Sequence, residues 1–222
     1  MIYREVFMKY KAIIWDMDGT ILNTLEDLHD SVNYVLRSNG YAERSFEETR
    51  CSVGNGIRKL VSLSVPDGEK DPSFERLFSE FREYYEAHCR IKTCPYKGIS
   101  ETLDTLKAMG IKMAVVSNKI NSAVSELVRE FYPQLDFSLG ELEGVPRKPA
   151  PDMVEIALRE LGVNKNEAVY IGDSEVDVLT AKNSGLDCIS VLWGFRTKEE
   201  LLPHGASVFA CEPSEIIALI EK

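Results

Sequence analysis

Short apolar runs recur along the chain, each too short for a helix and each flanked by stretches with helical spacing. Ala12–Trp15, Met113–Val116, Ala168–Ile171 and Cys188–Leu192 have the look of strands buried on both faces. Between them, Leu103, Leu106 and Met109 recur at helical spacing and stop at Gly110; Met153, Ile156, Ala157 and Leu161 do the same and stop at Gly162. Glycine in that place suits the left-handed residue that ends a helix. Strand, helix, strand, helix predicts an α/β fold whose core is a Rossmann-like parallel sheet with right-handed crossovers.

One region breaks the rhythm. From Asn23 to Cys94 no clear strand run appears. Leu25, Leu28, Val32 and Leu36 form one helical face that ends at Asn39-Gly40, with Thr24 placed to cap its start. Further helices are predicted over Gly56–Leu63 and Ser73–His88. Residues 23–94 therefore form a helical insert between the first and second strands of the sheet, and residues 1–22 and 95–222 form the α/β core. Pro95 and Gly98 punctuate the return.

Polar groups gather where the apolar runs stop. The first run ends in Asp16-Met17-Asp18-Gly19-Thr20, the second in Ser117-Asn118-Lys119, the third in Gly172-Asp173-Ser174-Glu175-Val176-Asp177, and Arg147-Lys148-Pro149 precedes the helix that starts near Pro151. The carboxyl ends of parallel strands open on one edge of a sheet, which is where open α/β sheets bind ligands. Asp173 and Asp177 stand i, i+4, so a helix opening at Asp173 puts both carboxylates on one face. With Asp16 they make a cluster of oxygen ligands suited to Mg²⁺. Ser117 and Asn118 can offer donors to phosphate oxygens at a helix start. Each has a plainer alternative: an Asp-Gly turn with solvated carboxylates at Asp16 and Asp18, helix caps at Ser117 and Asp173, a surface charge at Lys148.

Composition narrows the partners. The 222 residues carry 26 Lys and Arg against 36 Asp and Glu, a formal charge of −10. Neither a basic patch nor a basic tail is evident, which argues against nucleic acid or an anionic membrane as partner. No apolar run approaches a membrane span, and Met1 to Lys11, with Arg4, Glu5, Lys9 and Lys11, lacks a signal-peptide core. Met8 is an alternative start. Five scattered cysteines without a C-x-x-C pair suit a reducing compartment, the cytoplasm, and are expected mostly buried or half-buried.

The four polar sites, in this order and with these strand contexts, resemble the motifs of the haloacid dehalogenase superfamily of phosphohydrolases. Asp16-Met17-Asp18-Gly19-Thr20 is similar to its first motif, Ser117 to its second, Lys148 to its third and Gly172 to Asp177 to its fourth. The insert is similar to the family's helical cap. Gly54-Asn55-Gly56 before Ile57-Arg58-Lys59-Leu60, and Trp193-Gly194-Phe195 after the last main strand, resemble the phosphoglycolate phosphatase-like branch. Asn23 departs from the pattern, since close members often carry an acidic residue there.

The resemblance implies a Mg²⁺-dependent phosphatase acting on a small phosphorylated metabolite, phosphoglycolate first among them. In it Asp16 is the nucleophile that forms an aspartyl-phosphate, and Asp18 is the general acid and base. Mg²⁺ is held by Asp16, the Asp18 carbonyl and Asp173, with Asp177 direct or through water. Lys148 neutralises the phosphoryl oxygens and steadies Asp16. Gly19, Thr20, Ser117 and Asn118 surround the phosphoryl group, and Arg58 in the cap is a candidate cation for a substrate anion. The chain is expected to act as a monomer or homodimer. Rival readings are another capped member of the superfamily (a sugar-phosphate phosphatase, a pyrophosphatase or a β-phosphoglucomutase) and, in a different class, a catalytically silent binding module.

Overall fold

The computed structural model describes residues 8–221; Arg4, Glu5 and the question of the start at Met1 lie outside them. Eight strands occur among these residues: β1 (Ala12–Trp15), β2 (Leu22–Asn23), β3 (Cys94–Pro95), β4 (Lys112–Ile120), β5 (Phe137–Glu141), β6 (Ala168–Gly172), β7 (Asp187–Val191) and β8 (Phe209–Ala210). Six of them form a sheet in the order β5-β4-β1-β6-β7-β8, every neighbouring pair parallel. β1 sits in the middle, with Ile14 opposite Ala114 on one side and Tyr170 on the other. Its four residues are fully buried, as a central strand covered on both faces requires.

Two compact units divide the chain. One runs up to Ile21 and resumes at Tyr96; the other is Leu22–Pro95. Leu22 and Pro95 fall with the helical unit because β2 and β3 pair antiparallel, Leu22 with Pro95 and Asn23 with Cys94.

Within the α/β unit, helix Asp152–Leu161 lays Met153, Val154, Ala157 and Leu161 against Ile14, Ala114, Val116 and Tyr170, and Gly162 ends it in the left-handed region. Helix Ile99–Ala108 ends just before Gly110, whose φ is +78°. Within the helical unit, helices Leu25–Ser38, Phe46–Ser52, Gly56–Ser64 and Phe74–His88 bury Leu28, Val32, Leu36, Leu60, Val61, Leu77 and Phe81. The exit of this unit is held by Asp27, a buried carboxylate that accepts from the backbone N–H groups of Lys92 and Thr93. Tyr84 stacks between Tyr34 and His88, ring centroids 3.8 Å from each.

Several expectations differ from the structure. Thr24 stands at the N-cap of helix Leu25–Ser38, but its hydroxyl makes no capping bond; Asn23 Oδ1 accepts from the Leu25 N–H instead, at 3.4 Å. Helix Phe46–Ser52 was not predicted, although Ser45 and Glu48 form a reciprocal capping box at its start. β5 was also missed. β4 runs on through Ser117, Asn118 and Lys119, so those residues sit on a strand extension rather than at a helix start. Cys51, Cys94 and Cys211 are exposed, against the expectation that most cysteines are covered. No helix among the described residues is long and apolar enough to cross a membrane.

Candidate active site

The carboxyl ends of β1, β4 and β6 bring the polar groups together. Asp16 follows β1 directly and is tied to β6 by its backbone N–H, which donates to the Ile171 carbonyl at 2.8 Å. The chain then turns back, the Thr20 and Ile21 N–H groups donating to the Met17 carbonyl at 3.2 and 3.0 Å. Asp173 follows β6 and stands before helix Glu175–Ser184 rather than on it. Asp177 lies in that helix's first turn, where its Oδ2 accepts from the Ser174 N–H and hydroxyl at 3.0 and 2.6 Å. Carboxylate oxygens of Asp16, Asp173 and Asp177 lie within 4.8 Å of one another, and all three residues are buried.

Glycines make this approach possible. A Cβ on Gly19 would stand 2.3 Å from Asp173 Oδ2, and one on Gly172 would stand 2.3 Å from Asp177 Cγ. Gly19 also has φ +87°, which L side chains rarely adopt. No side chain fits at either place while the carboxylates stay where they are.

One buried cation faces the cluster. Lys148 Nζ donates to Asp16 Oδ1 at 2.6 Å, to Asp177 Oδ1 at 2.9 Å and to the Tyr170 hydroxyl at 3.0 Å. Its neighbour Arg147 is exposed. Three N–H donors thus meet three acceptors. The Tyr170 hydroxyl in turn donates to Asp177 Oδ1 at 3.1 Å. Asp177 accepts four hydrogen bonds in all, about as many as a carboxylate can take. Asp16 Oδ2, by contrast, has no hydrogen-bond partner among the described residues. Asp173 Oδ2 accepts from the Phe195 N–H at 2.6 Å and its Oδ1 from the Thr20 hydroxyl at 3.2 Å.

The electrostatics follow from three carboxylates sharing a dry site with one ammonium. Burial raises Asp16 well above the ordinary carboxylate range, the charges of Asp177 and Asp173 add to it, and Lys148 opposes them. Asp173 is pushed up to about 7 by burial and by Asp177, against the Phe195 N–H. Burial pulls Lys148 down, but Asp16 and Asp177 outweigh it and hold the ammonium well above its usual value. Such a cluster is short of positive charge. Three hard oxygen donors within 4.8 Å, in a cradle that Gly19 keeps open, suit a divalent cation. The donor set fits a metal ion.

Other expected site residues are placed differently. The Thr20 hydroxyl, expected at a phosphate, is given to Asp173. The Asn118 side-chain amide donates to the Lys148 carbonyl at 3.0 Å, so it braces the segment that carries the ammonium. Ser117 is buried, and its hydroxyl accepts from the Lys119 N–H at 3.2 Å. Arg58 is held within the helical unit by Glu75, on which both its terminal nitrogens bear, and by Glu69 at 3.4 Å; its guanidinium also lies over the rings of Phe74 and Phe78. Lys59 is exposed.

One residue of the site carried no signal in the hydropathy pattern. Tyr170 reads as an apolar member of a buried strand, and its hydroxyl is invisible to hydropathy. Lys119 lies next to the polar pair Ser117-Asn118 and is buried, its Nζ 3.0 Å from Asp18 Oδ1. It stands with that pair among the polar groups at the strand ends; its partner on Asp18 comes from the fold. Trp193 Nε1 donates to the Thr20 carbonyl at 2.9 Å, closing the far side of the first-motif turn.

Comparison with known proteins gives the family. The haloacid dehalogenase-like hydrolase family profile matches residues 13–191. A phosphoglycolate phosphatase of Rhodobacter capsulatus is 34% identical over 88% of this chain and 90% of its own. An N-acetylmuramic acid 6-phosphate phosphatase of Pseudomonas aeruginosa is 29% identical over 97% of this chain and 96% of its own. A crystal structure from Lactobacillus delbrueckii subsp. bulgaricus, provisionally named a phosphoglycolate phosphatase, superposes with a TM-score of 0.92 at 40% identity, covering 96% of this chain and 99% of that one. With the profile spanning all four polar sites, the chain belongs to the haloacid dehalogenase-like hydrolases.

Proposed function

We propose that this protein is a Mg²⁺-dependent phosphatase that hydrolyses a small phosphate monoester, 2-phosphoglycolate, through an aspartyl-phosphate on Asp16. The observation that carries the reading is the pairing of the three-carboxylate cluster with Lys148, whose Nζ stands 2.6 Å from Asp16 Oδ1 while Asp16 Oδ2 keeps no protein partner. One oxygen of the nucleophile is fixed and the other is left to react. The names of the relatives point to phosphate esters as the substrate class.

In the first step Asp16 Oδ2 attacks phosphorus in line, the acyl-phosphate bond forms, the ester O–P bond breaks, and Asp18 gives its proton to the leaving oxygen. In the second step Asp18 takes a proton from water as the water oxygen attacks phosphorus, which releases phosphate and restores the Asp16 carboxylate. Lys148 holds Asp16 in position and sets positive charge beside the phosphoryl oxygens. The Ser117 hydroxyl donates to a phosphoryl oxygen, and Asn118 and Thr20 act behind it by bracing Lys148 and Asp173. Asp16, the Asp18 carbonyl and Asp173 would hold Mg²⁺, which when bound would supply further positive charge to the transferring group. Asp177, whose oxygens are already engaged by Lys148, Tyr170 and Ser174, would act from behind these ligands. Leu22–Pro95 is the cap in this reading. The five cysteines, none in a disulfide, favour the cytoplasm as its compartment.

The test is phosphate release from a panel of esters with Mg²⁺, with EDTA and Asp16→Asn as controls. Release from phosphoglycolate in preference to sugar phosphates, lost in both controls, is the expected result; undiminished turnover by Asp16→Asn overturns the mechanism. The N-acetylmuramic acid 6-phosphate phosphatase relative favours one second reading, a larger sugar phosphate as substrate. Preference for that ester within the same panel would keep the chemistry and replace the substrate.

A further inference from the structure

We propose that Trp193 is a positioning residue for the metal site, the side-chain donor that closes a ring of contacts around Asp173 and so fixes that carboxylate for a divalent cation. The inference rests on the metal-dependent phosphatase reading above and deepens it. It names a group outside the four polar sites that sets how well the ion is held.

Asp173 has one partner on each oxygen. Its Oδ1 accepts from the Thr20 hydroxyl at 3.2 Å and its Oδ2 from the Phe195 N–H at 2.6 Å. The two donors come from different elements, Thr20 from the turn after β1 and Phe195 from the segment after β7. Trp193 joins them, because its Nε1 donates to the Thr20 carbonyl at 2.9 Å. The path therefore closes on itself. It runs from Trp193 to Thr20, on to Asp173, on to Phe195, and back along the chain through Gly194.

This ring has no slack. A Cβ on Gly194 would stand 2.3 Å from Asp173 Cβ and 2.3 Å from the Gly19 carbonyl oxygen. Thr20, Asp173 and Phe195 are all buried. A carboxylate gripped at both oxygens in so close a setting cannot turn about its Cβ–Cγ bond. Its remaining lone pairs then keep one direction relative to Asp16 and Asp177, whose carboxylate oxygens lie within 4.8 Å. Without the indole N–H, the Thr20 carbonyl loses its donor and the turn is free to shift. The Thr20 hydroxyl on Asp173 moves with it, and so does the Asp18 carbonyl, which the phosphatase reading also assigns to the ion. Groups behind metal ligands act in this way, by orienting the ligand before the metal arrives. Trp193 is itself only half-buried, so another flat ring in its place leaves no hole in the core.

The experiment titrates metal-free protein with Mg²⁺ by calorimetry, in the absence of substrate, for the wild type, Trp193→Phe, Thr20→Val and the double variant. Partners of metal ligands are worth about tenfold to a hundredfold in metal affinity, and Thr20→Val, which strips Asp173 directly, should weaken Mg²⁺ binding on that scale. Trp193→Phe, one contact further away, should weaken it by at least about threefold. The double variant should bind no more weakly than Thr20→Val alone, since the ring is already open. A Trp193→Phe protein that binds Mg²⁺ within about threefold of wild type overturns the proposal, even if its metal-free unfolding midpoint has fallen. So does a double variant whose loss is the product of the two single losses. If Trp193→Phe does not fold, 3-benzothienylalanine incorporated at position 193 keeps the size of the indole with sulfur in place of the N–H, and the same criteria apply to it. A wild type that takes up no Mg²⁺, or an Asp173→Asn variant that takes it up equally well, is the distinct outcome that overturns the metal site of the underlying reading.

Discussion

Two cations in this molecule are each gripped by a pair of carboxylates, and their settings differ in one respect. Lys148 sits between Asp16 and Asp177, with 2% of its side chain exposed and its partners at 9% and 0%. Arg58 sits between Glu75 and Glu69, with 34% of its side chain exposed and its partners at 74% and 52%. Around Arg58 water screens the charges, so the pair settles little beyond the local packing of the guanidinium on Phe74 and Phe78. Around Lys148 there is almost no water to screen anything. Every charge there perturbs its neighbours, and a third carboxylate, Asp173, leaves the site short of positive charge. The same ion-pair chemistry is screened at one place and strongly perturbing at the other because of burial and the third carboxylate.

Removing each cation tests that contrast, and the largest effect belongs to Lys148. Lys148→Met keeps the length of the stem but leaves Asp16 and Asp177 buried without their ammonium. We expect kcat/KM to fall by at least about a thousandfold, the upper range for loss of a preorganised electrostatic partner. Stability at neutral pH should fall by about 3–5 kcal/mol, the usual cost of stripping a buried charge of its mate, and the loss should shrink in acid as Asp16 takes up a proton. Kinetics and denaturant unfolding at two pH values check both. Activity within tenfold of wild type would mean that the buried pair is only architectural.

The next effect concerns the metal. Asp173, at about 7 in the folded chain against about 3.9 when unfolded, binds its proton more tightly in the native state. Its contribution to stability is therefore complete below the unfolded value and is lost as pH rises through about 7. Asp16, raised by the same burial, acts in the same direction. A divalent ion must displace those protons to bind. Mg²⁺ should therefore raise the unfolding midpoint more at pH 8 than at pH 5.5, by several degrees at saturating ion, as thermal unfolding with Mg²⁺ and with EDTA would record. A shift of equal size at both pH values would place the ion away from this cluster.

The contrast also explains how much of the molecule was legible in the chain. The central strands were readable because strands buried on both faces are continuous apolar runs, and Asp16, Asp173 and Lys148 were readable because they stand where such runs stop or just before a helix. β5 escaped because Phe-Ser-Leu-Gly-Glu is half-buried at the sheet's edge and has neither a continuous nor an alternating pattern. Helix Phe46–Ser52 escaped because it is short, although its Ser45-x-x-Glu48 box was in plain view. Within the site, residue type showed which groups can bind a phosphate but not which are already engaged. Thr20 and Asn118 are spent on Asp173 and on the Lys148 backbone, while the Tyr170 hydroxyl is revealed only when the fold closes over it. Arg58 belongs to the same class of miss: its charge was visible, its two glutamates were distant in sequence.

Arg58 therefore supplies the smallest predicted effect and the sharpest control. Arg58→Gln removes the ion pairs and the stacking on Phe74 and Phe78 while keeping a polar side chain of similar reach. Because water screens this cluster, the unfolding midpoint should move by no more than about 2 °C, and kcat/KM for phosphoglycolate should change by less than about twofold. Raising the salt concentration should erase even that difference, since exposed pairs weaken as the screening length falls. The buried Lys148 cluster should respond far less to salt. A tenfold rise in KM with an unchanged midpoint would be the opposite result. It would mean that Arg58 leaves its glutamates to meet the substrate.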